Sequence, residues 1–118
     1  MIGLLLSDDL MFASRITGTA RSLGLTVKPA RSVDVMESLA KQESPRCVIL
    51  DLANPTLQLA ELLGRLREAL PAMPRVVAYG SHVDAAGLNA ARDAGCDIVL
   101  PRSAFVEELP IKLAEWLS

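Results

Sequence analysis

Cys47-Val48-Ile49-Leu50-Asp51 is four apolar residues closed by a carboxylate. A short run without polar interruption, bounded by the breaker Ser44-Pro45, reads as a strand buried on both faces, as in parallel sheets. The first segment repeats the pattern: Ile2-Gly3-Leu4-Leu5-Leu6-Ser7 is closed by Asp8-Asp9. In open parallel sheets ligands bind at the carboxyl ends of the strands. Two such strands side by side would bring three carboxylates to one crevice. At about 4 Å each like-charge pair costs roughly 4 kcal/mol at an effective dielectric of 20. A divalent cation site, a carboxylate nucleophile, or both would account for such a cluster.

The rest of the chain alternates in the same way. Asp9 to Leu23 places Met11, Phe12, Ile16, Ala20 and Leu23 at helical spacing, and Gly24 stops the helix. Leu25 to Lys28 reads as a second strand ended by Pro29. Ser32 caps a helix through Val33, Met36, Leu39 and Ala40. After the third strand, Arg46 to Leu50, Asn54-Pro55 is expected to open a helix whose stripe is Leu59, Leu62, Leu63, Leu66 and Leu70. Arg65, Arg67 and Glu68 read as its solvated face. Arg75 to Tyr79 is the fourth strand, Asp84 to Ala94 a helix stopped by Gly95, and Asp97 to Leu100 the fifth strand. Ser103 is expected to cap the last helix. Pro110 inside that helix predicts a kink or a late restart, and Trp116 is expected to pack on the sheet. Five strands alternating with five helices specify one α/β domain, residues 1–118, with a parallel sheet.

Composition narrows the function classes. With 51% hydrophobic residues the chain is not a disordered one, and a net charge of -2 without a basic run argues against direct nucleic-acid binding. No apolar stretch approaches a membrane span, and no signal peptide is evident. Cys47 and Cys96 are not in a CxxC arrangement and read as small apolar residues of a reducing compartment, so a cytoplasmic location is expected. An enzyme or nucleotide binder of this fold class would carry GxGxxG or GxxxxGK[ST]; neither is present. Ala53, two residues after Asp51, also removes the paired aspartates of aspartate-nucleophile phosphohydrolases.

In its arrangement of residues the chain resembles the receiver domain of bacterial two-component response regulators (CheY-like). Asp8-Asp9 follows the first strand, Asp51 follows the third with Pro55 four residues on, and Ala94-Gly95 precedes a fifth strand ending at Arg102. The resemblance implies a doubly wound, flavodoxin-like sheet of order 2-1-3-4-5. It implies a signalling role, not an enzymatic one, and with one domain over residues 1–118 no effector domain is expected. Asp51 would be the phospho-acceptor in a phosphorelay. Asp9 and Asp51 would bind Mg²⁺, Asp8 would do so through water, and the carbonyl of Ala53 would add an oxygen. The implied partners are a sensor histidine kinase or phosphotransfer protein and an output protein, with a homodimer also compatible. Two positions depart from the pattern. Arg102 stands where a Lys is usual, with Ser103 in place of the following Pro. It can pair with Asp51 or Asp8, or bind a phosphoryl group. Gly80 stands where the fourth strand usually ends in a hydroxyl, with Ser81 next to it, and Val99 replaces the usual aromatic of the fifth strand. His82, the single histidine, reads as a solvated loop residue. A phosphorylation-independent pseudo-receiver, acting as an interaction or dimerisation module, is the competing expectation.

Overall fold

The structure is a computed structural model that describes residues 1–54 and 57–118. Among these, five strands alternate with five helices: β1 (Ile2–Leu6), α1 (Leu10–Ser22), β2 (Thr26–Ala30), α2 (Val33–Glu43), β3 (Cys47–Asp51), α3 (Leu59–Ala69), β4 (Arg75–Gly80), α4 (Ala85–Ala94), β5 (Ile98–Pro101) and α5 (Arg102–Trp116). All strand pairs are parallel, in the order β2-β1-β3-β4-β5. This is the flavodoxin-like order that the family resemblance implies.

The central strands read as unbroken apolar runs because helices cover both faces of the sheet. Alternate residues enter different cores. Leu4, Leu6, Val48, Leu50, Val76 and Ala78 pack with Leu62, Leu63 and Leu66 of α3. Leu5, Cys47, Ile49, Val77 and Tyr79 pack with Ile16 of α1 and Phe105, Leu109, Leu113 and Trp116 of α5. Trp116 is buried there, as expected.

Several boundaries differ from the sequence reading. Strand β2 continues through Pro29, which pairs with Leu5, because β2 lies at the sheet edge, where a missing N–H is tolerated. Met11, expected on the buried stripe of α1, is 86% exposed. The start of α3 is Leu59, with Gln58 as N-cap and no side-chain cap bond. The expectation that Pro55 opens this helix lies outside the described residues. Helix α5 begins at Arg102 after Pro101, so Ser103 is within the helix and does not cap it. The helix is continuous across Pro110, which is solvent-exposed. Arg65 is not merely solvated: its Nε donates to Glu37 at 2.6 Å and its Nη2 to Asp34 at 2.9 Å, tying α3 to α2. That hydrogen bond, with further help from Lys41, holds the Glu37 carboxyl below its usual range against the opposing effect of burial.

Cys47 and Cys96 are free and buried. Burial pushes the Cys47 thiol up to about 12 and the Cys96 thiol up to about 11, the latter with help from Asp97. The thiolate is the reactive form, so neither cysteine should be modified by a maleimide at pH 8 in the folded protein. Both should react on unfolding in guanidinium, and stoichiometric labelling of the native chain would contradict the packing described.

Candidate functional site at the strand ends

Strand register decides which residues meet Asp51. Leu6 pairs with Leu50, so the next residue of the first segment, Ser7, lies beside Asp51. Its Oγ donates to Asp51 Oδ2 at 3.0 Å and in turn accepts from the Asp9 backbone N–H at 3.1 Å. Asp51 Oδ1 accepts from the Ala53 backbone N–H at 2.9 Å. The Asp51 side chain is only 2% exposed. A buried carboxylate is costly unless hydrogen-bonded, and these two donors meet that demand.

The acidic pair divides. Asp8 is exposed and does not join Asp51. Asp9 is the N-cap of α1, its Oδ1 accepting from the Phe12 backbone N–H at 3.0 Å, while its Oδ2 faces Arg102. The expectation that three carboxylates gather in one crevice is therefore corrected to two. Among the described residues no three His, Cys, Asp or Glu side chains converge as a metal-ligand group.

Arg102 opens α5 and lies between the two remaining carboxylates. Nη1 is 4.0 Å from Asp9 Oδ2 and Nη2 is 3.9 Å from Asp51 Oδ2. Both separations exceed hydrogen-bond length, so this is a loose bridge and not a bidentate pair. The guanidinium also contacts two aromatic rings. Its Cζ lies 4.6 Å from the centroid of the Phe12 ring and 5.8 Å from that of Tyr79. Cation–π contacts of this kind contribute about 0.5–2 kcal/mol. The donor chemistry present suits a hard divalent cation: two carboxylate oxygens face one positive charge, and magnesium usually takes one or two carboxylates with several waters.

The positions expected to replace the usual hydroxyl are also placed. A Cβ on Gly80 would meet Leu52 Cδ1 at 3.3 Å and Leu88 Cδ2 at 3.5 Å, so the space beside Gly80 is apolar and filled. Ser81 is an exposed turn residue whose Oγ accepts from the Val83 backbone N–H at 3.3 Å. His82 is exposed on the same loop. Ser81, His82, Phe12, Ala53, Arg102 and Ser103 border an open cleft of about 830 Å³ above the site. Val99 is buried on the α3–α4 side of the sheet.

Two residues of the site were not singled out from the sequence, Ser7 and Tyr79. Tyr79 pairs with Asp51 in the β3–β4 register and packs in the same core as Leu5 and Ile49, which places Ser7, Asp51 and Tyr79 on one face. Its hydroxyl is buried and makes no hydrogen bond of ordinary distance and angle. Burial, and after it the charge of Asp51 and hydrogen bonding to it, push the phenol above its usual range; hydrogen bonding with Ser7 and the Arg102 charge oppose this. The signal in the sequence was the two-residue period of neighbouring strands, which sets Ser7 and Tyr79 level with Asp51.

No family model matches the chain, and no curated protein matches it in sequence. Solved structures do match. A response regulator signal receiver domain from Bermanella marisrubri is 22% identical, covers 99% of this chain and 98% of its own, and superposes with a TM-score of 0.84. A CheY-like receiver domain protein from Methanospirillum hungatei is 18% identical, with 98% and 92% covered and a TM-score of 0.80. A response regulator from Burkholderia pseudomallei with a phosphorylated aspartic acid, a calcium ion and citrate is 23% identical. It covers 97% of this chain and 69% of its own, with a TM-score of 0.76. From end to end, the chain has the fold of the CheY-like response-regulator receiver domains.

Proposed function

We propose that this chain is a receiver-type module of two-component signalling in which Asp51 accepts a phosphoryl group and the result is read out through protein contacts. The observation that carries the reading is Asp51 itself: a buried carboxylate at a strand end, whose neighbours Ala53 and Arg102 border an open cleft, with the arginine near it but not locked to it. The donor would be the phosphohistidine of a sensor kinase or phosphotransfer protein. An Asp51 oxygen attacks phosphorus, the P–N bond breaks, and the imidazole leaves with the bonding pair. The Ala53 N–H and Ser7 O–H orient the carboxylate, and Arg102 offers positive charge to the transferring oxygens. Asp9, Asp51 and the Ala53 carbonyl would hold Mg²⁺, with Asp8 outside that set unless through water. Bound there, the ion supplies charge neutralisation to the phosphoryl oxygens. The test is incubation with acetyl phosphate and Mg²⁺ followed by intact-mass and peptide mapping. One phosphoryl group on Asp51 supports the reading, and its absence from wild type sinks it.

A pseudo-receiver is the second reading. It is favoured by Arg102 occupying the position between Asp9 and Asp51 that a cation would take, and by the filled apolar space at Gly80. The two readings differ in how firmly Arg102 holds its place. Because its carboxylate contacts are long, Arg102→Ala should tighten Mg²⁺ binding by about tenfold, the equivalent of roughly 1.4 kcal/mol of lost competition. Titration followed by amide shifts at Asp9 and Asp51 measures this. A wild type that shows no Mg²⁺ response even at tens of millimolar, restored only in the variant, would favour the pseudo-receiver.

A further inference from the structure

The proposed function leaves the readout without a residue. Gly80 has no side chain, Leu52 and Leu88 fill the space beside it, and Ser81 is a solvent-facing turn residue. A different hydroxyl stands on the Asp51 face of the sheet. Tyr79 is fully buried, is the register partner of Asp51, and has an O–H without a properly formed hydrogen bond. Buried hydroxyls are almost always paired, and this one engages Ser7 and Asp51 without a well-formed hydrogen bond to either, so a better acceptor at Asp51 would draw it.

We propose that Tyr79 senses the state of Asp51: its hydroxyl donates to the oxygens that arrive when Asp51 carries a phosphoryl group, and its ring passes the change to α5. The inference rests on the reading of Asp51 as acceptor. In the resting site the Ala53 N–H serves Asp51 Oδ1 and the Ser7 O–H serves Oδ2. A phosphoryl group adds three strong acceptors, and Arg102 and the Tyr79 hydroxyl are among the described donors near them. The ring is the first of a stack. Tyr79 lies 4.6 Å from Phe105 at 26°, and Phe105 lies 5.8 Å from Trp116 at 17°. Phe105 and Trp116 belong to α5, and Arg102, over the Tyr79 ring, opens the same helix. A tilt of Tyr79 toward Asp51 therefore moves the packing surface of α5 and the seat of Arg102 together. Such a device supplies from β4 an aromatic and a hydroxyl in one side chain.

Beryllofluoride with Mg²⁺, titrated into wild type and Tyr79→Phe, tests this with two readouts. Bound ¹⁹F signals report occupancy of Asp51, and emission from Trp116, the single tryptophan, reports α5. Wild type should give bound ¹⁹F signals and a saturable change in emission. Tyr79→Phe should still bind, but with half-saturation raised roughly tenfold or more, as for a lost hydrogen bond to a charged group, and with most of the emission change gone. Without ligand it should melt close to wild type, because the substitution removes only a poorly formed hydrogen bond and keeps the ring. Wild-type binding and emission in Tyr79→Phe would overturn the inference and leave the acceptor reading standing. So would a variant that melts far below wild type or does not fold, since the hydroxyl would then be a structural one. A wild type without bound ¹⁹F signals overturns both.

Discussion

Asp51→Asn should abolish phosphoryl uptake from acetyl phosphate while leaving the fold in place. The amide keeps a carbonyl oxygen that can accept from Ser7 or Ala53, so at least one of the two hydrogen bonds at this position survives. What it lacks is a nucleophilic oxygen, so the loss is total and not graded. Asp9→Asn should behave differently. Its carbonyl can still accept the Phe12 N–H that caps α1, and the charge facing Arg102 disappears. Uptake should fall because a ligand of the divalent cation is lost, yet Asp51 remains competent. Asp8→Asn, at an exposed position, should change uptake least. Intact mass after a fixed incubation ranks the three variants. Uptake persisting in Asp51→Asn would place the acceptor elsewhere, and equal losses at Asp8 and Asp9 would contradict the division of that pair.

That division shows where sequence reading succeeds and where it stops. The fold was legible because each strand is an apolar run with a punctuating residue, and because Gly24, Ser32 and Gly95 serve as the stops and caps their chemistry suggests. Asp51 was legible for the same reason, as the carboxylate that ends a buried run. The partners of Asp51 were not, because adjacency along the chain is not adjacency across a sheet. A register in which Leu6 faces Leu50 sets Ser7 level with Asp51 and carries Asp8 past it into solvent. Likewise a residue count points to Gly80 and Ser81 for a hydroxyl, whereas Tyr79 shares the face of Asp51. Counting from Ala94-Gly95 sets Arg102 at the end of the fifth strand, and its guanidinium lies near Asp9 and Asp51. Its stacking on Phe12 had no sequence signal, since it depends on how α1 and α5 meet.

Phe105→Ala should be among the most destabilising single substitutions in the chain. The side chain is fully buried and stacked between Tyr79 and Trp116, with Phe12 a further 6.3 Å neighbour. Truncating a buried Phe costs about 3–5 kcal/mol, combining lost burial with the cavity left behind. Domains are stable by only about 5–15 kcal/mol, so the variant forfeits roughly a fifth or more of the margin. For a chain of this size the melting temperature should fall by roughly 10–25 °C. The matching control is Ile111→Ala on the same helix, which is 76% exposed and should change stability by no more than about 0.5 kcal/mol. Urea unfolding followed by Trp116 emission reports both. If the two variants unfold at the same urea concentration, α5 does not pack on the sheet through this face. If Phe105→Ala folds at low temperature, Tyr79 has lost the ring that fixes it and Arg102 has lost a firmly placed partner. Its beryllofluoride response should then weaken even though every oxygen and nitrogen of the site is still present.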